Sequence, residues 1–342
     1  MPWTSTIIPS VDNKIAKSRI MTYKDALHEA TDILLEKYPE VIVMGEGVED
    51  SAGIYGSVLN LYQKYGTERV FETPLAEQGM TGIAVGAAIV GLRPIYIHAR
   101  MDFILLTLDQ IINHASKYSY IFNGKASVPL VIRCIIARGW GSGAQHSQSL
   151  HSLLAHIPGL KIVFPSNPYD VKGMLITAVE DNNPVIFVEH RWLYNTTSYV
   201  PEGYYNVDYS KPNIINAGDK ISIISSGYTS YQVLKLLKEN PILKSQVELI
   251  DLRSINPIDY NTIYDSVEKT GNAIIIDESW EKGSIASDIA VNIYENCSSC
   301  LKNKVQRITL PNTPTPTAQI LENAFYISDE EILNSISEVL SQ

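Results

Sequence analysis

Three side chains of this 342-residue sequence are of the types that proton chemistry on a cofactor needs, and each follows a predicted strand. Glu77 begins a predicted helix, Phe103 follows a second strand, and His146 lies in a glycine-rich loop after a third. A carboxylate, an aromatic face and an imidazole that meet at strand ends would suit a heteroaromatic cofactor. The same residues could instead be a helix-capping acid, a core phenylalanine and a solvated loop histidine, and spacing alone leaves both interpretations open.

Other sequence patterns for catalysis or metal binding are absent or incomplete. Neither a Walker motif nor a G-x-G-x-x-G motif after a strand occurs in the sequence. Cys297-Ser-Ser-Cys300 has no second pair of ligands, so it only weakly supports a zinc or redox site. The histidines lack H-E-x-x-H spacing and Ser147 is not in a G-x-S-x-G motif, which disfavours a zinc or serine hydrolase.

Composition and charge exclude several classes of protein. Twenty-seven Lys and Arg against 37 Asp and Glu give a formal charge of −10, which argues against nucleic acid as a partner. Three cysteines cannot form an extracellular disulfide framework, and no apolar run is long enough to span a membrane. The basic residues of the segment 1–20 follow its apolar residues, unlike a secretory signal. We therefore expect a soluble cytoplasmic protein.

The strands that must position the candidate residues are short β-branched runs separated by helix-length segments. In the first half of the chain they are Val41–Met44, Arg69–Glu72, Pro94–His98, Leu130–Ala137, Lys161–Phe164 and Val185–Glu189. This alternation predicts a parallel sheet with helices on both faces, the doubly wound α/β class. The first helix should begin at Thr22, and the glycine-spaced run 79–91 is typical of a helix that packs closely on another backbone.

A Tyr-, Asn-, Pro- and Gly-rich stretch between about residues 190 and 220 indicates a linker between two domains. The runs after it are Ile221–Ser225, Val247–Leu252, Ile263–Lys269 and Ala273–Asp277, with helices predicted over 229–239, 284–295 and 329–340. They predict a second, smaller α/β domain of about five strands. We divide the chain into an extension (1–20), a first domain (21–195), a linker (196–215) and a second domain (216–342).

Several motifs resemble the beta subunit of the thiamine-diphosphate-dependent component of 2-oxo acid dehydrogenase complexes, of the pyruvate and branched-chain type. They are Gly45-Glu46, the run EQGMTGIAVGAA from Glu77, Gly91-Leu-Arg-Pro, Leu108-Asp-Gln-Ile-Ile-Asn, Ala144-Gln-His-Ser-Gln, Pro158-Gly-Leu-Lys-Ile-Val, Asp181-Asn-Asn-Pro and Leu252-Arg-Ser-Ile-Asn-Pro-Ile-Asp. The resemblance covers residues 21 to 332. It implies a pyrimidine-binding first domain and a transketolase C-terminal-like second domain.

The resemblance also implies roles for particular residues. Glu77 would be the family's activating glutamate, which hydrogen-bonds the pyrimidine of thiamine diphosphate and promotes deprotonation of its thiazolium carbon. Phe103 would stack on the pyrimidine, Glu46 would be a second acid beside the cofactor, and His146 would act on the oxo-acid substrate or in acyl transfer. A structural potassium or similar cation would be held by Leu130, Ala178, Asp181 and Asn183.

The sequence lacks the Gly-Asp-Gly motif and following Asn with which thiamine enzymes hold magnesium and diphosphate. A diphosphate needs a metal ion and amide donors, so the other half of the site should come from another polypeptide. The resemblance implies an alpha subunit that supplies Mg²⁺ binding in an α2β2 heterotetramer. In the family's multienzyme complexes a dihydrolipoyl acyltransferase core is a further partner.

The sequence departs from the pyruvate enzyme where the substrate would be selected. The polar residues at these positions are His98, Arg100, Arg138 and Trp140. Such groups could bind a carboxylate, phosphate or hydroxylated substrate, or could equally pair with the alpha subunit. Two alternatives to a 2-oxo acid dehydrogenase remain, the C-terminal half of a split transketolase and a non-catalytic partner subunit of the same fold.

Overall fold

The computed structural model describes residues 7–8 and 18–341, so most of the predicted extension 1–20 lies outside the described residues. The elements up to residue 201 are β1 (Ile7–Ile8), β2 (Ser18–Thr22), α1 (Tyr23–Lys37), β3 (Val41–Gly45), α2 (Leu61–Tyr65), β4 (Val70–Glu72), α3 (Glu77–Ile89), β5 (Arg93–His98), α4 (Tyr118–Ile121), β6 (Val131–Ile136), α5 (His151–Ala155), β7 (Lys161–Val163), α6 (Pro168–Glu180), β8 (Val185–His190) and β9 (Thr197–Pro201). A 3-10 helix (Met101–Thr107) and a π-helical turn (Gln110–Ala115) follow β5.

The remaining elements form the second domain and its connection to the first. They are β10 (Asn213–Asn216), β11 (Ile221–Ser225), α7 (Gly227–Glu239), α8 (Pro241–Gln246), β12 (Val247–Asp251), β13 (Ser254–Asn256), α9 (Tyr260–Thr270), β14 (Ala273–Trp280), α10 (Ile285–Cys297), β15 (Gln306–Leu310), α11 (Gln319–Phe325) and α12 (Asp329–Ser341). Within the described ranges, none of the helices combines the length and apolarity needed to cross a bilayer.

The first domain is built on a seven-stranded sheet in the order β13-β7-β8-β6-β5-β3-β4. All pairs in it are parallel except β13 with β7. Every residue of β3, β6 and β8 is buried, as expected for strands that helices cover on both faces. The predicted helix start is confirmed, since Thr22 Oγ1 accepts a hydrogen bond from the Asp25 N–H at 3.2 Å.

The second domain has a five-stranded sheet in the order β10-β12-β11-β14-β15, so the expected strand number is confirmed but two members differ. Ile263–Lys269 is not a strand because it lies inside α9. Ile263, Ser266, Val267 and Thr270 recur at helical spacing on the buried face of α9. Asp259 caps the start of this helix and Gly271, at φ +74°, ends it. The two strands that the sequence did not predict, β10 and β15, form the edges of this sheet.

Strand β9 lies in the predicted linker and β10 begins in it, although the composition there is typical of a loop. Strand β9 pairs with β1 and β2 in a small three-stranded sheet, and β10 pairs antiparallel with β12 of the second domain. Strand β13, which follows β12 in the chain, crosses back to the edge of the first sheet. The structure therefore has two doubly wound α/β domains, as predicted, but the second-domain segment contributes strand β13 to the sheet of the first.

Candidate functional site

The predicted site residues lie at the carboxyl edge of four neighbouring strands of the first sheet. Glu46 follows β3, and Glu77 is the first residue of α3, after β4. Phe103 lies in the 3-10 helix after β5, and His146 lies in the loop after β6. Because β4, β3, β5 and β6 are adjacent and parallel, their carboxyl ends share one side of the sheet.

Three carboxylates gather beyond β3 and β4. The Glu72 carboxylate accepts hydrogen bonds from the N–H groups of Gly47 at 2.6 Å and Glu49 at 3.2 Å, and so fixes the segment that carries Glu46. Partial burial raises the pKa of Glu46, and the nearby carboxylates of Glu77 and Glu72 raise it further. In the part of the chain that the structure describes, no Lys or Arg forms an ion pair with any of the three carboxylates. These three carboxylates are therefore placed to accept a proton or a hydrogen bond from a ligand.

Two neutral rings of β5 lie beside these acids. Burial, with the Glu46 and Glu77 carboxylates, raises the pKa of Tyr96 to about 12, so its hydroxyl stays protonated. Its ring lies 4.5 Å from that of His98, centroid to centroid. Burial lowers the pKa of His98 to about 4, so the imidazole is neutral near pH 7. The His98 Nε2 atom is buried and has no hydrogen-bond partner among the described residues.

Phe103 and His146 contact each other. Their ring centroids are 5.4 Å apart in an edge-to-face arrangement at 82°. Asp102 fixes the end of the loop that carries His146, residues 139–148 (the histidine loop). The Asp102 Oδ1 atom accepts hydrogen bonds from the Gln148 backbone N–H at 3.1 Å and side-chain Nε2 at 2.9 Å. Burial raises the pKa of Asp102, while the Gln148 hydrogen bonds and the nearby His146 oppose that shift. The structure thus brings an aromatic face and an imidazole together beside a buried acid.

Of the predicted substrate residues, Arg138 lies at the boundary between the two domains. Its side chain is 3% exposed, with Nη2 3.4 Å from Glu278 Oε2. The guanidinium carbon also lies over three aromatic rings, those of Trp192 at 4.6 Å, Tyr228 at 5.1 Å and Tyr326 at 4.2 Å from their centroids. These groups line a cavity of about 360 Å³ between the domains. Arg138 Nε also lies 3.2 Å from His190 Nε2, so its side chain is held by both domains of its own chain.

The other predicted substrate residues are distributed over two loops. His98 ends β5 and Arg100 follows it, close to Phe103 in the sequence. Arg100 Nη1 is buried and lacks a hydrogen-bond partner within the described ranges. Trp140 is 41% exposed and packs edge-to-face on Trp192 at 6.3 Å. His98 and Arg100 thus have unused polar atoms near the site, whereas Trp140 lies beside Arg138.

The predicted cation ligands Leu130, Ala178, Asp181 and Asn183 lie at the opposite, amino-terminal side of the sheet. The Asp181 carboxylate pairs with Lys161 and accepts the Asn183 N–H at 2.9 Å. Although burial opposes its ionisation, these partners and Tyr209 hold the pKa of Asp181 below its usual range. The Asp181 carbonyl accepts Arg93 Nη1 at 3.1 Å and the Leu130 carbonyl accepts the Val185 N–H. Each carbonyl keeps a second lone pair that a cation could use.

No group of three or more His, Cys, Asp or Glu that could bind a metal occurs among residues 7–8 and 18–341. The three cysteines, Cys134, Cys297 and Cys300, are free thiols. Burial raises the pKa of the Cys297 thiol to about 11, which makes it a poor nucleophile.

Sequence reasoning missed several residues that hold the site together. Glu72 belongs to no motif, and Gln148 ends the Ala144-Gln-His-Ser-Gln motif but has no predicted role. Glu322 binds the backbone of the histidine loop from 183 residues away, and no sequence signal points to it. The Glu322 contact depends on how the two domains dock, and a local sequence pattern does not encode that arrangement.

Comparison with known proteins assigns both domains. The pyrimidine-binding domain of transketolase matches residues 19–197, and the transketolase C-terminal domain matches residues 210–332. The chain is 39% identical to the beta subunit of acetoin:2,6-dichlorophenolindophenol oxidoreductase from Cupriavidus necator, over 92% of this chain and 96% of that protein. It is 38% identical to the pyruvate dehydrogenase E1 beta subunit of Porphyra purpurea, over 93% and 96%.

The 2-oxoisovalerate dehydrogenase beta subunit of Bacillus subtilis is 35% identical, over 94% of this chain and 98% of that protein. A solved split-gene transketolase, described as an inactive beta4 tetramer, matches with a TM-score of 0.73 at 18% identity, over 94% of this chain and 98% of that chain. That likeness shows a shared fold. The chain therefore belongs to the transketolase-like family of beta subunits of thiamine-diphosphate-dependent 2-oxo acid dehydrogenases.

Proposed function

We propose that this chain supplies the activating acid and the substrate-side histidine of a thiamine-diphosphate-dependent 2-oxo acid dehydrogenase. The complex decarboxylates a 2-oxo acid and passes the acyl group to a lipoyl group or another acceptor. The observation that supports this most is the free, half-exposed carboxylate of Glu77. It makes no side-chain hydrogen bond or ion pair with the residues that the structure describes, and it lies at the same sheet edge as Phe103 and His146.

The residues at this edge fit thiamine diphosphate. Bound there, the cofactor would supply a nucleophilic carbon that adds to the substrate carbonyl and a cationic thiazolium ring that takes up the electron pair left by decarboxylation. Glu77 would accept a hydrogen bond from the pyrimidine, and beside it partial burial and the Glu77 and Glu72 carboxylates raise the pKa of Glu46. Phe103 offers a half-buried ring for stacking. His146, on the far side of Phe103, would protonate or orient the substrate.

An alpha subunit would complete the site, with Mg²⁺ and the diphosphate held mainly by that partner. Helix α3 offers a surface for such a partner. Leu75, Ile83 and Val90 are 81%, 58% and 80% exposed on or beside it. Gly79 and Gly86 have no atom within 4 Å of where a side chain would begin, so the close packing predicted for these glycines does not occur within this chain. An α2β2 heterotetramer would cover this surface.

Four further features belong to the same proposal. His98 and Arg100, which have unpartnered buried nitrogens, would contact the polar end of the substrate. Arg138 and Trp140 stay predicted substrate contacts, although the guanidinium of Arg138 lies in the cavity between the domains. The Leu130, Ala178, Asp181 and Asn183 set would hold a structural potassium or similar cation through carbonyl oxygens. We place the complex in the cytoplasm, in keeping with three unpaired cysteines.

An α-hydroxyketone such as acetoin is a second candidate substrate. Two of the relatives, at 39% and 38% identity, are acetoin oxidoreductase beta subunits, while the pyruvate relative is 38% identical. Assays of the reconstituted heterotetramer with pyruvate, 2-oxoisovalerate, acetoin and a ketose phosphate distinguish these substrates. Activity on the ketose phosphate alone would favour the split transketolase instead.

Replacing Glu77 by Gln tests the assignment. We expect Glu77→Gln to assemble with the alpha subunit normally while turnover falls by roughly two to four powers of ten, because a proton-transfer group is lost. Turnover is measured with an artificial electron acceptor, and assembly by analytical ultracentrifugation. Glu36→Gln, at an exposed position of α1, is the matched control. Unchanged turnover in Glu77→Gln would favour a non-catalytic subunit.

A further inference from the structure

Glu322, on α11 of the second domain, binds the histidine loop of the first domain directly. Its Oε1 accepts a hydrogen bond from the Gly139 N–H at 2.9 Å, and its Oε2 accepts one from the Gly141 N–H at 3.2 Å. The side chain is only 3% exposed and forms no ion pair with the residues that the structure describes. Hydrogen bonds between a carboxylate and backbone N–H groups are charge-assisted and strong. The two amides are therefore the groups that satisfy this buried acid.

The histidine loop has few features of its own that would fix its backbone conformation. Gly139, Gly141 and Gly143 all have positive φ, at +84°, +67° and +70°, a conformation that glycine adopts without strain. The loop also lies close against other groups. A Cβ at Gly139 would come within 2.3 Å of Trp192, and one at Gly143 within 2.6 Å of Thr317 Oγ1. The loop conformation is thus set by what packs on it, chiefly the segment that leads into α11.

The two ends of the loop are held by different domains. At the far end, Asp102 of the first domain accepts two hydrogen bonds from Gln148. At the near end, Glu322 of the second domain holds Gly139 and Gly141. His146 lies between these anchors, with its ring against Phe103. Loss of either anchor would free His146 to leave that position.

We propose that Glu322 is a positioning residue for His146, through which the second domain contributes to the reaction. This inference rests on the proposed function, since it gives His146 a part in that reaction. Glu322 touches neither the cofactor site nor His146 and acts only through the loop backbone. Its loss should alter the loop and the substrate step while leaving activation of the cofactor by Glu77 intact.

The test compares Glu322→Ala and Glu322→Gln in the reconstituted heterotetramer, with Glu338→Gln on an exposed part of α12 as the matched control. We expect Glu322→Ala to lower kcat about 10- to 100-fold, because misplacing a reacting group by an ångström has effects of that size. Glu322→Gln, which keeps one acceptor oxygen, should lose less. Backbone hydrogen exchange in the segment 139–146 should speed up by about tenfold or more in Glu322→Ala, since two hydrogen bonds are gone.

Deuterium exchange at the thiazolium carbon separates this inference from the proposed function. We expect both Glu322 variants to exchange as fast as the wild type, because Glu77 and its neighbours do not contact Glu322. Wild-type kcat together with wild-type loop exchange in Glu322→Ala would overturn the positioning role. If that variant fails to fold, the same two measurements on Glu322→Gln decide. Full turnover in Glu77→Gln would instead count against the proposed function, so the two failures are distinguishable.

Discussion

His146 and Glu77 lie on different loops of one sheet edge, and their surroundings suit different tasks. Glu77 is grouped with Glu46 and Glu72, and its carboxylate makes no side-chain hydrogen bond or ion pair with the described residues. His146 is grouped instead with Phe103 and, through the loop, with Asp102. A carboxylate without a partner can accept a hydrogen bond from a cofactor, whereas an imidazole offers two ring nitrogens to a substrate.

We therefore predict that His146→Ala separates cofactor activation from substrate turnover. In the reconstituted heterotetramer, deuterium exchange at the thiazolium carbon should proceed at the wild-type rate, while oxidative decarboxylation falls by roughly two to four powers of ten. His156→Ala, at an exposed position of the same half of the chain, should change neither rate. Slow exchange in His146→Ala would move this histidine into cofactor activation.

Helix α3 carries Glu77 at its first residue and an open small-residue face along its length. A Cβ at Gly79 or Gly86 would meet no atom of the described chain beyond the backbone of α3 itself, and Ile83 on the same helix is 58% exposed. Glycine inside a helix lowers the stability of that helix by about 1 kcal/mol relative to alanine. Such glycines are favourable only where a neighbouring element packs closely against them. On the proposed function, that neighbour is another subunit.

Gly86→Met should consequently have opposite effects on the isolated chain and on the complex. The isolated chain should gain up to about 1 kcal/mol of stability, because methionine is a better helix former and has free space here. Assembly with the alpha subunit, followed by sedimentation velocity, should weaken at least about tenfold because the side chain blocks close approach. Val291→Met, on the exposed face of α10, is the control that should leave assembly unchanged. Normal assembly of Gly86→Met would place the partner elsewhere.

The two domains are joined by buried polar pairs as well as by β13. His151 Nε2 of the first domain lies 2.7 Å from Asp277 Oδ1 of the second, and both side chains are nearly inaccessible. Arg253, from the second-domain segment, pairs with Asp170 of α6 at 2.7 Å. Burial opposes ionisation of both members of the His151 pair, yet their attraction raises the pKa of His151 and lowers that of Asp277.

These two pKa shifts define the pH range in which the His151–Asp277 pair stabilises the folded chain. The raised pKa of His151 adds stability that is complete below its unfolded value of about 6.5 and is lost as pH rises through the folded value. The lowered pKa of Asp277 adds stability that is complete above about 3.9 and is lost as pH falls through its folded value. The pair should therefore stabilise the docked domains most in mildly acidic to neutral solution.

We predict that His151→Leu destabilises the chain by roughly 3 to 5 kcal/mol near pH 6, since it leaves a buried Asp277 carboxylate without its partner. The deficit relative to the wild type should shrink as pH rises above the folded pKa of His151. Thermal unfolding monitored between pH 5 and 9 measures both effects. His156→Leu, at an exposed site on the same stretch of chain, should show no such pH-dependent deficit. A deficit that grows toward alkaline pH would contradict the sign of the shift.

The sequence by itself determined the α/β class and most strands of the first domain, and it predicted a set of site residues. Buried parallel strands are continuous apolar runs, and the glycine and carboxylate motifs are local, so both can be recognised in a window of a few residues. The cap at Thr22 was predictable for the same reason. Ile263–Lys269 was not, because a short apolar run has the same composition in a strand and in a buried helix face.

Only the tertiary structure decided which distant groups meet. It joined Glu322 to Gly139 and Gly141, placed Arg138 among aromatic rings of the second domain, and returned β13 to the edge of the first sheet. None of these contacts has a local signal, because each depends on the relative position of elements that are far apart in the chain. Hydrogen bonds and ion pairs between domains join groups that only the docked surfaces bring together, so their partners are set by the docking and not by sequence spacing.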